Sequence, residues 1–167
     1  MKIAALFALA ALSLVARSAA VAGQQPGADK QQVIMAAVAA VMDQYNTWFA
    51  TGRADLIAER TYLTPSVRMD ETGLTVFSSR DEIERFFEAS LQTLAADGYA
   101  KSEWPVRNIC VLNEAAAVVS GRYIRYRKDG SVVGQYGGTY TLAKTADGWR
   151  IASFARHDPS KVVRCAS

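Results

Sequence analysis

The sequence predicts an α+β fold in which three N-terminal helices pack on one face of a strongly curved sheet that ends in a four-stranded meander. The front half contains three segments with helical apolar periodicity, and residues 102–156 form four consecutive strand-like runs. Two joints between these runs carry Asp-Gly, at Asp129-Gly130 and Asp147-Gly148, a strong hairpin signal because glycine adopts positive φ without a Cβ clash. Helices followed by such a meander favour a pocket between the two layers.

Residues 1–22 have the composition of a secretory signal peptide. Lys2 supplies the positive charge, residues 3–15 are almost entirely apolar, and Ala20-Val21-Ala22 offers an A-x-A cleavage site. The apolar run is too short to span a bilayer comfortably, which disfavours an uncleaved membrane anchor. We therefore expect a secreted or periplasmic protein that has no membrane span after signal removal.

The remaining chain, about 145 residues, is long enough for one domain with its own core. We expect a flexible leader over residues 23–29, a single domain over residues 30–158 and a C-terminal tail over residues 159–167. The full chain has 19 basic and 16 acidic side chains, and the signal segment contains two of the basic ones. The mature net charge of about +1 gives no electrostatic reason to expect a nucleic-acid partner.

Three helices are predicted in the front half. The clearest covers residues 30–51, where apolar side chains recur at spacings of three and four and form one broad stripe. A short second helix fits residues 54–62. The third follows Ser79-Arg80-Asp81-Glu82, whose S-x-x-E pattern is a capping box, and stops at Gly98.

Six strands are predicted. The first two, residues 66–70 and 74–78, flank a turn at Glu71-Thr72-Gly73 and lie before the third helix. The first strand of the meander contains Pro105, which cannot donate a ladder hydrogen bond, so we expect this strand at an edge of the sheet. Three glycines in its third strand indicate a bulge or a sharp bend that curls the sheet; they are Gly134, Gly137 and Gly138. The four meander strands are predicted over residues 102–112, 115–128, 133–144 and 149–157.

The two cysteines, Cys110 and Cys165, leave two alternatives open. Export permits a disulfide, which would close a loop of roughly fifty residues and contribute about 3–4 kcal/mol. The other possibility is a buried thiol in a strand and a loose thiol near the C-terminus.

Taken in order, these segments resemble the nuclear transport factor 2-like superfamily, in particular its SnoaL-like and ketosteroid-isomerase-like branches. The resemblance is carried by residues 45–63, Val67 to Gly73, the capped helix at Ser79, and Asp147-Gly148-Trp149-Arg150-Ile151. It implies a cone-shaped fold with a mixed or antiparallel sheet, often a homodimer, and a pocket between the sheet and the long helix. It does not imply one function, because members include isomerases, dehydratases, cyclases and non-catalytic binding domains.

Asp70 is the candidate general base. In the isomerase branch a base lies in the first strand of the hairpin in an Asp-x-x-Gly setting, which Asp70-Glu71-Thr72-Gly73 matches. A carboxylate on an apolar pocket wall would have a raised pKa and would be able to abstract a carbon-bound proton. The alternative is ordinary turn chemistry, in which the Asp70 side chain bonds nearby backbone N–H groups.

Tyr45 and Trp48 are the candidate ligand-binding aromatics, together with Asp70. They lie three residues apart on one face of the first helix, and relatives use this helix to present aromatic hydroxyls to the pocket. Tyr45 is therefore a candidate oxyanion donor. The alternative is that both side chains only pack in the core.

His157, the single histidine, is a third catalytic candidate. Counting by twos from Trp149 places it on the same face of the last strand as Trp149 and Ile151. Relatives often carry a polar residue two positions earlier, where this chain has Ala155. The alternative is a capped surface residue beside Asp158.

Neither a metal nor a cofactor is expected, because one histidine cannot build the usual His-rich site and the sequence has no Gly-rich phosphate loop before a helix. Arg122, Arg125 and Arg127 alternate sides of a strand, so that Arg125 and Arg127 share a face. They would either line an anion site or lie on a solvated outer face.

Two functions follow. The favoured one is a domain that binds a small apolar molecule or a protein partner without catalysis, since the pocket fold lacks a complete catalytic set. The alternative is a cofactor-independent isomerase, dehydratase or cyclase with Asp70 as base and Tyr45 as oxyanion donor. A purely structural assembly subunit is a third possibility, and the sequence leaves open whether the protein is an enzyme.

Overall fold

The computed structural model describes residues 27–165, so the predicted signal peptide and residues 23–26 of the leader lie outside the described range. Within this range three helices and six strands follow one another: α1 (Ala28–Ala50), α2 (Ala54–Arg60), β1 (Tyr62–Asp70), β2 (Gly73–Phe77), α3 (Arg80–Ala96), β3 (Tyr99–Asn113), β4 (Ala116–Arg127), β5 (Val132–Thr145) and β6 (Gly148–His157). Within residues 27–165 no helix is long and apolar enough to cross a membrane.

The strands form one open, mixed sheet in the order β2-β1-β6-β5-β4-β3. β1 runs parallel to β6, and every other neighbouring pair is antiparallel. The predicted α+β cone fold, with three helices on a sheet that ends in a four-stranded meander, is confirmed. β3 lies at an edge, as Pro105 predicts, and its pairing with β4 shifts between Glu103 and Val106, around the proline.

The hydrophobic core lies between the helices and one face of the sheet, which we call the inner face. α1 buries one stripe against it, formed by Ile34, Val38, Met42, Tyr45 and Phe49. These side chains follow the spacing of three and four that defines one face of a helix. They meet fully buried residues of the central strands, which are Val119, Leu142 and Ile151.

The start of α3 matches its local sequence signal. The Ser79 side chain accepts a hydrogen bond from the Glu82 N–H at 3.3 Å, and Glu82 Oε2 accepts one from the Ser78 N–H at 2.6 Å. Both bonds satisfy backbone donors that have no partner within the helix. At the other end Gly98 has φ of +77°, a conformation that favours glycine.

Some predicted boundaries were wrong. α1 begins at Ala28, inside the segment predicted as leader. The second helix ends at Arg60 rather than at residue 62, because Tyr62 pairs with Ile151 of β6 and the Thr61 carbonyl accepts from the Ile151 N–H at 2.7 Å. Long-range pairing with β6 therefore overrides the local helical pattern.

Only one of the three glycines of β5 lies beside a bulge. The β4–β5 register shifts next to Gly134, whereas Gly137 and Gly138 pair regularly with Arg122 and Gly121. A bulge at these two positions is therefore a wrong prediction. A Cβ atom on Gly137 would collide with the His157 ring, and one on Gly138 would lie 3.2 Å from the Phe154 ring. Both glycines therefore make room for side chains of β6.

The C-terminal tail crosses the other face of the sheet, which we call the outer face. Cys110 and Cys165 form a disulfide with a Cα–Cα distance of 5.6 Å. Asn108 Nδ2 donates to the Val163 carbonyl at 3.2 Å, and the Val163 N–H donates to Ser120 Oγ at 3.0 Å. The tail is thus attached to both β3 and β4.

Candidate functional site

A cavity of about 290 Å³ lies between α1, α3 and the inner face of the sheet. Aromatic rings make up most of its lining. The helices contribute Tyr45, Phe49, Phe86 and Phe87. The sheet contributes Tyr62, Phe77, Trp104, Tyr123, Tyr140 and Phe154. A ligand here would be surrounded chiefly by apolar, polarisable surface.

Tyr45 is at the centre of these rings. Its ring meets those of Tyr62, Phe87 and Tyr140 edge-to-face, at centroid distances of 6.1, 6.0 and 6.1 Å. Tyr140 in turn stacks on Phe154 at 4.6 Å. Edge-to-face and stacked pairs are the favoured arrangements of aromatic rings, so the cavity wall is fixed by its own packing.

Four buried tyrosines line the cavity and bring their hydroxyl groups to it: Tyr45, Tyr62, Tyr123 and Tyr140. Burial raises the pKa of each phenol, because the charged phenolate is poorly solvated there. At neutral pH these groups are therefore protonated. They provide hydrogen-bond donors and acceptors rather than charge.

Three arginines also line the cavity, one each from β1, β4 and β6. Arg68 forms an ion pair with Asp70. The Nε and Nη2 atoms of Arg156 both donate to Glu71 Oε2, at 3.0 and 2.6 Å. Arg125 has no carboxylate within 4.0 Å among the residues that the structure describes, and its buried Nε has no hydrogen-bond partner there.

Aromatic faces surround the charge of Arg125. Its guanidinium carbon lies 5.0 Å from the Phe49 ring, 5.4 Å from the Tyr123 ring and 5.1 Å from the Tyr136 ring. Each contact is within the range of a cation–π interaction. A solvated outer face therefore does not account for Arg125, which lines the cavity instead.

The other two arginines of β4 are not in the cavity lining. Arg127, at the end of β4, donates to the Asp97 and Val132 carbonyls at 2.8 and 3.0 Å. Arg122 is one residue from Tyr123 and three residues from Arg125, and β4 pairs regularly with β5 over this stretch. Side chains that are an odd number of residues apart on a regular strand point to opposite faces, so Arg122 lies on the outer face.

Tyr45 and Trp48 are separated by the structure. Tyr45 lines the cavity, whereas Trp48 is partly buried against the core outside the lining. Phe49, four residues after Tyr45, takes the cavity position, as expected for a helix whose i and i+4 side chains share a face.

Asp70 lies outside the cavity lining. Its Oδ1 accepts from the Thr72 N–H at 2.8 Å and from Thr72 Oγ1 at 2.5 Å, and Oδ2 pairs with Arg68. The hydrogen bonds from Thr72, together with the positive charge of Arg68, lower the pKa of Asp70. This is the turn alternative, and the shift is opposite in direction to the one a general base needs.

His157 lies on the outer face, contrary to the count by twos. The β5–β6 register shifts so that Ser153 pairs with Thr141 while Ile151 pairs with Leu142, which leaves Ala152 as an extra residue. One extra residue reverses which side chains point inward. His157 Nε2 is instead 2.8 Å from Thr139 Oγ1, and its Nδ1 is 2.8 Å from the Asp158 carbonyl.

The same bulge brings Phe154 and Arg156 into the cavity, and sequence reasoning missed both. Nothing in the residue types of 149–157 marks the bulge, so the only available signal was the register with β5. Arg68 was also missed, although it alternates with Val67 and Met69 along β1. Within residues 27–165 no group of three or more His, Cys, Asp or Glu side chains is placed to hold a metal ion.

Residues 35–159 match the family described as NTF2-like protein (DUF6841). An NTF2-like protein with a cystatin-like fold from Novosphingobium aromaticivorans superposes with a TM-score of 0.64 at 15% identity, over 76% of this chain and 82% of that one. No curated protein sequence matches the chain.

Two further solved structures share the fold. A ketosteroid isomerase-like protein from Erwinia carotovora atroseptica has a TM-score of 0.55 at 19% identity, over 72% of this chain and 92% of its own. An NTF2-like superfamily protein from Salmonella enterica serovar Typhimurium has a TM-score of 0.54 at 17% identity, over 79% and 92%. At these identities the likeness concerns the fold alone. The family match covers most of the chain, and the protein therefore belongs to the NTF2-like family DUF6841.

Proposed function

We propose that the protein binds a small, largely aromatic molecule in the cavity and does not transform it chemically. One observation carries the proposal: the lining that the structure describes combines aromatic rings with arginines and contains no Asp, Glu, His, Lys or Cys side chain. General acid–base catalysis is most effective with a group that titrates near the working pH, whereas burial raises the pKa of these phenols and the guanidinium groups stay protonated. A volume of about 290 Å³ suits a small ligand.

The isomerase-like alternative requires a carboxylate within reach of the ligand. Asp70 is the candidate for that role, but its oxygens are engaged by Thr72 and Arg68 and its pKa is lowered. Tyr45 remains able to donate a hydrogen bond to a bound ligand. These contacts support a binding role for Tyr45 and give Asp70 a role in the hairpin turn.

Filling the cavity tests the proposal. Ser90 on α3 lines the cavity, and its Oγ donates only to the Phe86 carbonyl of its own helix, at 2.8 Å. In Ser90→Trp the indole would occupy ligand space, so we expect the affinity for the neutral fluorophore N-phenyl-1-naphthylamine to fall by about tenfold or more. The measurement is the rise in probe fluorescence on titration with protein.

Ala89→Trp is the matched control, because Ala89 is the preceding residue of α3 and is exposed. This variant should bind the fluorophore as the wild type does. Equal binding by all three proteins would place the fluorophore outside the cavity, and absence of binding to the wild type would also count against the proposal.

We further propose that the protein is exported. The N-terminal segment supports this, and so does the Cys110–Cys165 disulfide, because such bonds persist mainly in oxidising compartments. Protein recovered from the periplasm or the medium is expected to begin at Gly23. Recovery only from the cytosol, with the N-terminal segment intact, would contradict export.

We also infer that two copies associate through the hairpin formed by β1 and β2. Met69 pairs with Leu74 and Val67 with Val76, so these four apolar side chains share the outer face of the hairpin. Leu74 is 65% exposed and Val76 is 51% exposed. β2 is also an edge strand, and an apolar edge that remains exposed favours association.

The double variant Leu74→Glu with Val76→Glu should be monomeric, because two carboxylates would have to be buried at the interface. Light scattering on wild type and variant measures the mass. Thr75→Glu is the control, since Thr75 lies between the two positions and points to the opposite side of the hairpin. A monomeric wild type, or a variant with the wild-type dimer mass, would contradict the inference.

A further inference from the structure

The charges around the cavity do not balance within the described part of the chain. Two of the three guanidinium groups have carboxylate partners, Asp70 for Arg68 and Glu71 for Arg156. Arg125 has none within 4.0 Å among residues 27–165. A charged group that is partly removed from water is costly unless an opposite charge or hydrogen-bond acceptors compensate it. One positive charge therefore remains to be compensated in the cavity.

The charges of all three cavity arginines act on Tyr123. The charges of Arg125, Arg156 and Arg68 each act to lower the pKa of the Tyr123 phenol, against the larger upward effect of burial. Arg125 and Arg156 also flank the Tyr136 ring, at 5.1 and 5.9 Å. This part of the cavity is thus the place where a negatively charged group of a ligand is most favourably bound.

Among the residues that the structure describes, the contacts of Arg125 leave part of its hydrogen-bonding capacity unused. The rings of Phe49, Tyr123 and Tyr136 stabilise its charge, but aromatic faces do not replace the oxygen acceptors that the N–H groups prefer. Its Nε is buried and unpartnered within the described residues. A guanidinium presents parallel N–H donors that match the two oxygens of a carboxylate.

We propose that the cavity binds an aromatic monocarboxylate, with the carboxylate on Arg125 and the aromatic part among the rings around Tyr45 and Tyr140. This inference rests on the proposed binding function and names its ligand class. A single negative charge matches the single uncompensated guanidinium, whereas a second charge would lie against aromatic rings. An inorganic anion alone would contact Arg125 but leave most of the apolar cavity surface without contacts, so it is a poorer match than an aromatic carboxylate.

The test compares 2-naphthoate with its neutral counterpart 2-naphthamide by isothermal titration calorimetry. Wild type is expected to bind the naphthoate about 10- to 100-fold more tightly, the range given by charge-assisted hydrogen bonds. In Arg125→Gln the naphthoate affinity should fall to that of the naphthamide, while the naphthamide affinity changes little. Arg122→Gln is the matched control, three residues earlier on β4 and on the outer face, and should keep the wild-type preference.

The outcomes separate this inference from the proposed function. Equal affinities of naphthoate and naphthamide in the wild type would overturn the proposed contact between a ligand carboxylate and Arg125. The proposed binding of aromatic molecules would remain. If N-phenyl-1-naphthylamine binds and neither naphthalene derivative does, the inference is also overturned. If none of the three compounds binds, both proposals fail.

Salt dependence of the wild type supplies a test that needs no folded variant. If Arg125→Gln does not give a native circular dichroism spectrum, naphthoate and naphthamide are titrated at low and high NaCl. The naphthoate affinity should fall with salt and the naphthamide affinity should not, because only the first contact is ionic. The same salt response for both compounds would overturn the inference.

Discussion

Replacing Ile151 with Ala is expected to lower the free energy of unfolding by about 2–5 kcal/mol. Ile151 is fully buried in β6, between Tyr62 of β1 and Leu142 of β5, and its N–H donates to the Thr61 carbonyl at 2.7 Å. The strands on both sides are held by ladder hydrogen bonds and cannot close over the space that the lost methyl groups leave. The cost of that cavity adds to the lost transfer free energy.

Urea denaturation followed by circular dichroism measures this loss. Leu112→Ala is the control, because it removes the same number of carbon atoms from a side chain that is 55% exposed on β3. We expect the control to cost less than about 1 kcal/mol. A similar loss in the two variants would mean that β6 is not the centre of the core.

The parts of the fold that have local signals were predictable from the sequence. The capping box at Ser79 fixes the start of α3, and the Asp-Gly turns at Gly130 and Gly148 both have positive φ. The start of β1 was not predictable in this way. Tyr62 continues a helical pattern in sequence, and only its pairing with Ile151, 89 positions later in the numbering, makes it a strand residue.

The side chains that face the cavity were predictable from the sequence only where the helix or strand has a regular alternation of inward and outward residues. Tyr45 lies on the uninterrupted stripe of α1 and was identified. The inward residues of β6 were assigned to the wrong alternation beyond Ala152, because a bulge reverses the side of every later residue. Because of this bulge, Arg156 lines the cavity where the sequence predicted His157. The cavity therefore contains a guanidinium group instead of an imidazole.

The Asp-x-x-Gly segment shows a second limit of sequence reasoning. The spacing at Asp70 is the same whether the carboxylate faces a pocket or caps its own turn. The difference comes from its neighbours, since Thr72 supplies two donors and Arg68 supplies a positive charge. Those contacts lower the pKa of Asp70 and make it a structural carboxylate.

Replacing both cysteines, in the double variant Cys110→Ser with Cys165→Ser, should lower the free energy of unfolding by up to about 4 kcal/mol. The bridge joins residues 55 positions apart, and closing a loop of that length removes much of the entropy of the unfolded chain. The native state offsets part of this loss, because a released tail gains freedom too. The hydrogen bonds of Val163 with Asn108 and Ser120 limit that gain, since they hold the tail on the sheet without the bridge.

Urea denaturation with and without a reducing agent distinguishes this entropic effect from damage by the substitutions. Reduced wild type should unfold at the midpoint of the double variant, and the double variant should not respond to the reducing agent. If the tail leaves the sheet once the bridge is broken, exchange of the Val163 amide hydrogen with solvent becomes fast while the core amides stay protected, and the loss of stability is smaller. Equal midpoints for oxidised and reduced wild type would contradict the expected net stabilisation by the bridge.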